Sequence, residues 1–242
     1  MMEESKYESG DFVNAYMALW SYGYLNNLAY SEGLYRTIIS LVVSNLGAMN
    51  KAKILDVGCG VGRTTFDLAN IYKKSCITSI DQSKKMIETA RQINSSCFKE
   101  KKISLWNRGF KDLKLPYFSY LNIEFLCENF ELYDFAEKDF DLIVNVNYLD
   151  RCNSIESSIK KFFDILKEGG LVVGCTPMNF TNKDSWEMCK DVESLKKVMN
   201  KTGFEIVDLF DNLVYKEILD VRESFEEYKV VCYVVKKNKA IL

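Results

Sequence analysis

Three glycines at alternate positions, Gly58, Gly60 and Gly62, join an apolar run to an amphipathic one in KILDVGCGVGRTTFDLA, residues 53–69. Glycine lets a backbone come close to a ligand and take dihedrals closed to other residues. The loop amides, beside a helix start, favour electronegative groups. Asp56 precedes the loop; a carboxylate there would repel a pyrophosphate, but it can fix the loop or meet an ammonium group. Some twenty residues on, the run CITSID ends in Asp81, where an acid accepts hydrogen bonds from both hydroxyls of an adenosine ribose. The alternative is a structural turn plus an acid that caps a helix starting near Ser83. The GxGxG spacing, not GxGxxG, disfavours a nicotinamide dinucleotide.

The chain has no histidine. That excludes Ser-His-Asp and Cys-His catalysis and any metal site needing imidazole, and no metal is expected. Acid–base work falls to carboxylates, tyrosine, lysine, cysteine or the substrate itself.

The elements that position these residues alternate from Lys53 onward. Apolar runs predict strands at 53–58, 76–81, 121–127, 141–147, 170–176, 205–210 and 228–236. Between them, helical periodicity covers 62–73, 83–97, 154–167 and 191–202, with glycine stop signals in LKEGG (166–170) and NKTGF (200–204). Helices are also expected at 8–28 and 32–48. The fold class is α/β: a doubly wound, seven-stranded, mainly parallel sheet. No repeat or linker divides the chain, so one domain over 1–242 is expected, with 1–50 as an N-terminal helical cap. Residues 99–120 fit the rhythm poorly and read as an insertion.

Composition narrows the partners. The 242 residues carry 32 basic and 34 acidic side chains, net charge −2, which argues against a mainly electrostatic nucleic-acid binder. Eight cysteines form no CxxC pair and read as reduced thiols of a cytoplasmic protein. The longest apolar stretch, LYRTIISLVVSNLGAM, is too short and interrupted to span a bilayer. A small-molecule substrate is expected, no nucleic acid and no membrane; the oligomeric state is left open.

From Lys53 to Lys236 the arrangement resembles the class I S-adenosylmethionine-dependent methyltransferases, whose first motif is D/E-x-G-x-G-x-G. The resemblance implies S-adenosylmethionine as cofactor. It places Asp56, Gly58, Cys59, Gly60 and Gly62 around the methionine part, and Asp81 on the ribose. Gln82, Met86, Asn129 and Phe130 fall on the adenine side, and Asn145 near the cofactor at the end of the fourth strand. It also implies a last strand inserted antiparallel, for which YKVVCYVVKK is suited.

Four shorter runs resemble the methyltransferase domain of ovothiol biosynthesis, which methylates an imidazole nitrogen of a mercaptohistidine: YESGDFVNAYMALWSYG (7–23), VGRTTFDLA (61–69), NYLDRC (147–152) and GGLVVGCTPMNFTNKDSW (169–186). Trp20 and Ser21 stand where that family carries Phe and His, and residues 211–228 depart from its pattern. The resemblance implies that Tyr7 bonds the methionine carboxylate or the substrate, against an ordinary packing aromatic. Arg63 would face a cofactor carboxylate, against a plain pair with Asp67. Asn147 would orient the nucleophile, Asp150 act as base or hold an ammonium, and Tyr148 and Arg151 bind substrate, against a loop ion pair. Phe180 and Trp186 would lid the site, against packing under the last strands. The competing readings are a methyltransferase for another small molecule, with an oxygen, sulfur or carbon acceptor, and a cofactor-binding module without activity.

Overall fold

The computed structural model describes residues 6–238 except 48, 50, 96, 97 and 137. Helices α1 (Gly10–Ala15) and α2 (Glu32–Leu46) precede β1 (Lys53–Val57), α3 (Arg63–Ile71), β2 (Cys76–Asp81) and α4 (Lys84–Ile93). Strands β3 (Lys102–Leu105), β4 (Phe110–Lys114), β5 (Ile123–Cys127) and β6 (Phe140–Val146) follow, then α5 (Ile155–Ile165) and β7 (Leu166–Thr176). Helices α6 (Lys183–Met188) and α7 (Val192–Thr202) lead to β8 (Phe204–Ile218) and β9 (Phe225–Lys237).

Seven strands form one sheet in the order β5-β2-β1-β6-β7-β9-β8. The first five run parallel, and β9 enters antiparallel between β7 and β8. β1 is buried from Ile54 to Val57, as a central strand covered on both faces must be. From β1 the chain winds out to β2 and β5, then returns to β6 on the other side. That reversal opens a crevice at the carboxyl ends of β1 and β6.

Local chemistry sets the flanking helices. The Ser83 hydroxyl caps α4 by accepting from Met86 N–H, Ser154 caps α5, and Asp191 caps α7; each such cap contributes about 1 kcal/mol. Helix α4 buries Met86, Ile87, Ala90 and Ile93, a stripe at helical spacing. Gly203, at φ 106°, ends α7 in the left-handed region.

Three expectations need correction, and the 99–120 insertion gains a structure that the sequence did not assign. Residues 8–28 are not one helix: α1 passes into a π-helix over Tyr16–Ser21, then a 3₁₀ turn over Gly23–Asn26. Met17 to Ser21 are all buried, and the wider turn accommodates five consecutive buried side chains; such turns mark functional segments. The LKEGG run is not a helix end: α5 stops at Ile165, Leu166 pairs with Phe140, and Gly169 at φ 75° belongs to a sheet irregularity. The 99–120 insertion carries a separate antiparallel pair, β3–β4. Strand β8 runs to Ile218, with bulges between Ile206 and Asp208 and between Phe210 and Leu213 that bend the β8–β9 hairpin. The ends of the helices expected over 32–48 and 83–97 lie outside the described residues.

The N-terminal cap is pinned by Arg63. Its guanidinium donates to Asp67 (3.0 Å), Glu32 (3.0 Å) and the Ser21 carbonyl (2.8 Å) while 6% exposed. Leu34, Ile38 and Val42 of α2 pack with Ile54 of β1 and Leu142 of β6 in one core cluster.

Candidate active site

The crevice holds a cavity of about 640 Å³, within the range of small-molecule sites. Gly58, Gly60, Asp81 and Met86 line it from the β1–β2 side; Asn147, Tyr148, Asp150 and Arg151 line it from the loop after β6. The cap contributes Tyr7, Tyr16, Trp20 and Tyr35, and the β8–β9 hairpin contributes Tyr215, Glu217, Glu226 and Tyr228.

The glycine loop acts by shape. Gly58 N–H and Cys59 N–H donate to Ile80 O, Gly62 N–H to Cys59 O, and Gly60 N–H to Asp81. These amides are therefore spent within the protein, a correction to their expected role as ligand donors. At Gly58 (φ 70°) a Cβ would sit 3.2 Å from the Tyr148 ring, and at Gly60 (φ 52°) 3.4 Å from Tyr16. Any side chain would intrude where the loop, Tyr148 and Tyr16 meet.

Asp81 closes the β1–β2 side of the cavity. Its Oδ2 accepts from Gly60 N–H (2.9 Å) and its Oδ1 from Ser83 N–H (2.8 Å). A carboxylate oxygen has two acceptor sites, so one remains on each oxygen for a pair of vicinal hydroxyls. Burial raises its pKa, against the two N–H donors that pull it down. Among the described residues the cavity lining carries seven carboxylates (Glu8, Asp81, Glu128, Glu131, Asp150, Glu217, Glu226) and three cations (Lys6, Arg108, Arg151). That balance suits a positively charged occupant.

A family model described as a methyltransferase domain matches residues 49–239. The chain belongs to this methyltransferase family. The malonyl-[acyl-carrier protein] O-methyltransferase of Bacillus anthracis is 23% identical over 167 residues, 69% of this chain and 53% of that protein. The chain thus spans about half the length of that curated relative. Among solved structures, the N-methyltransferase NodS of Bradyrhizobium japonicum with S-adenosyl-L-homocysteine superposes at TM-score 0.57 and 15% identity, covering 87% of this chain and 88% of that one. The magnesium protoporphyrin IX methyltransferase of Synechocystis, also with S-adenosylhomocysteine, does so at 0.55 and 13%, covering 86% and 85%. The glycine cradle, the Asp81 acceptors and the acidic lining fit an adenosyl donor that carries a positive charge.

Of the residues read from the sequence, Tyr7, Gly58, Gly60, Asp81, Gln82, Met86, Asn129, Phe130, Asn147, Tyr148, Asp150 and Arg151 line the cavity. Asn129 Nδ2 donates to Gln82 Oε1 (3.0 Å), tying the two adenine-side residues together. Tyr7 is anchored through its carbonyl, which accepts from Ser83 Oγ (2.9 Å). Its phenol senses Arg151, Asp150, Asp81 and Glu217, and burial is the main cause of its raised pKa.

Several expected roles do not match the placement. Asp56 is 1% exposed and off the cavity wall; its Oδ2 accepts from Thr65 Oγ1 (2.6 Å), locking β1 to α3. Cys59 and Gly62 belong to the loop but do not line the cavity, and Gly62 packs against the Phe66 ring. Arg63 is committed to the cap, as described. Asn145 is fully buried and accepts from Tyr233 OH (2.7 Å). Phe180 and Trp186 do not line the cavity but pack edge-to-face at 5.4 Å, the indole N–H donating to Phe180 O (2.9 Å). Tyr148 shares its phenol with Ser158 Oγ (3.2 Å), so its ring, not its hydroxyl, shapes the crevice. Asn147, at φ 54°, gives its amide N–H to Tyr215 OH (2.7 Å).

The side of the cavity toward β6 and the hairpin holds two unusual carboxyls. Asp150 is 1% exposed, 3.0 Å from Arg151 Nε, with no well-aligned hydrogen bond on either oxygen. Burial pushes it up to about 6, with Arg151 opposing. Glu217 rises to about 7 through burial and the neighbouring Glu226. Sequence reading missed Glu217, Glu226 and the cap aromatics Tyr16, Trp20 and Tyr35. The usable signal was alternation: Tyr215 and Glu217 fall on one face of a strand.

Proposed function

We propose that this methyltransferase transfers the donor methyl to a nitrogen of a small molecule, in its narrowest form the imidazole of a histidine derivative. The observation that carries this is the acidic lining between Asp81 and the hairpin. Bound S-adenosylmethionine supplies a methyl group already activated by its sulfonium. The protein then aligns donor and acceptor and excludes water, effects worth roughly 7–11 kcal/mol in well-oriented reactions.

Asp81 holds the ribose, Gln82, Met86, Asn129 and Phe130 the adenine, and Gly58 and Gly60 the sulfonium-bearing chain. Asp150, poised near neutral pH, takes the proton that leaves the acceptor nitrogen. Arg151 steadies that carboxylate, and Tyr7 closes the crevice from the cap. The tyrosine phenols are poor bases here because burial raises them further. The chain works as one domain, 1–50 being its cap, in a cytoplasmic setting suited to its free thiols and without nucleic acid as partner. Among the described residues no helix is long and apolar enough to cross a membrane.

A second reading follows the Bacillus relative: O-methylation of an acyl carboxylate. The excess of acids over bases in the lining weighs against a carboxylate acceptor. Incubation with methyl-labelled S-adenosylmethionine and a fractionated cell extract tests this directly. Label on the nitrogen of a small basic metabolite supports the proposal. Label recovered as a methyl ester supports the second reading.

A further inference from the structure

The β8–β9 hairpin presents two cross-strand pairs to the cavity: Tyr215 opposite Tyr228, and Glu217 opposite Glu226. The tyrosine rings stack at 5.3 Å with an interplanar angle of 19°. Asn147 Nδ2 donates to Tyr215 OH (2.7 Å), and that hydroxyl donates to Glu217 Oε1 (3.4 Å). This chain ties the hairpin to the loop after β6, beside the donor crevice.

Like charges directly opposite on paired strands are destabilising. Among the described residues neither Glu217 nor Glu226 forms a salt bridge that cancels this: Glu226 accepts from Tyr228 OH, and Lys216, next to Glu217 in sequence, pairs with Glu227 at 3.8 Å, on the alternate face. A cation between the two carboxylates would remove the repulsion, and tyrosine faces attract cations as well. Asp150 adds an independent sign. It is 1% exposed and lines the same cavity; beyond Arg151 Nε at 3.0 Å, no aligned hydrogen-bond donor reaches either oxygen among the described residues.

We propose that this hairpin face is the acceptor subsite and that it holds a small molecule through an ammonium group, set between Glu217, Glu226 and the Tyr215–Tyr228 pair. The inference rests on the methyl-transfer reading and names its substrate class. The titratable and charged groups around Glu217 are Glu226 and Tyr228 from β9, Tyr215 from its own strand, Tyr7, Tyr16 and Tyr35 from the cap, Lys6, and Arg151. Lys6 and Arg151 favour its ionised form; burial and Glu226 oppose it. Ionisation of Glu217 near pH 7 makes cation binding stronger above that pH than below it.

Tetramethylammonium is the probe, titrated by calorimetry into the full chain, with and without saturating S-adenosylhomocysteine. Saturable binding at pH 8 is expected, at least fivefold weaker at pH 6, and at least tenfold weaker in Glu217→Gln and Glu226→Gln. Each variant is expected to bind S-adenosylhomocysteine within twofold of the parent chain, reporting an intact fold. Equal tetramethylammonium affinity in parent and Glu217→Gln, or no saturable binding in the parent, overturns the subsite. A parent chain that binds tetramethylammonium but not S-adenosylhomocysteine instead contradicts the donor reading and leaves the subsite standing.

Discussion

Asp81 accepts a hydrogen bond from the Gly60 backbone N–H at 2.9 Å, so the carboxylate ending β2 is fastened to the glycine loop after β1. One contact thus fixes both the loop's approach and the acid's aim. The same carboxylate takes Ser83 N–H at 2.8 Å, and the capping alternative raised by the sequence coexists with its place on the cavity wall.

Gly58 tests the cradle. An alanine there must hold φ near 70° with its Cβ 3.2 Å from Tyr148, a region that costs an L-residue roughly 1–2 kcal/mol. Gly58→Ala is expected to weaken S-adenosylmethionine binding at least tenfold by calorimetry. Unchanged affinity would mean that the loop does not approach the donor.

Asp150 tests the proton's destination. Asp150→Asn keeps the volume and removes the base; turnover is expected to fall at least 100-fold, in the range of general-base losses, with donor affinity within about threefold. In the parent, turnover should rise as pH climbs through about 6, where Asp150 ionises. Near-parent turnover in the variant would remove Asp150 from the mechanism.

Asp56 makes a stability prediction of unusual sign. Burial raises its carboxyl to about 7 in the folded chain, while an unfolded aspartate titrates at about 3.9. The folded state therefore binds the extra proton between these values, and stability falls as pH rises through that window. The thermal midpoint should drop between pH 5 and pH 8, and Asp56→Asn should shrink that drop. Asp150 and Glu217, raised in the same direction, would keep part of it. An identical pH profile in parent and variant would show that Asp56 ionises freely.

Much of the glycine-loop side of the cavity was legible because short-range chemistry encodes it. The GxGxG spacing, Asp81 and the Ser83 cap lie within one β–α–β stretch, and local turn and capping rules place them. Arg63 and Asn145 were misread because their partners are remote: Glu32 lies 31 residues away and Tyr233 lies 88. Phe180 and Trp186 satisfy each other, which adjacency in a loop does not reveal. The hairpin carboxylates were invisible for a different reason. Two bulges and an extended pairing bring Glu217 opposite Glu226, and neither bulge has a strong sequence signal.

Titration of S-adenosylmethionine into the full chain and into Asp81→Asn tests the donor site most directly. The amide keeps the size of the side chain but sets an NH₂ against the Gly60 or Ser83 N–H. The parent should bind one donor per chain, and the variant at least tenfold more weakly. Equal affinity in the two chains would contradict the assignment of Asp81 to the ribose, and with it the location of the methyl donor.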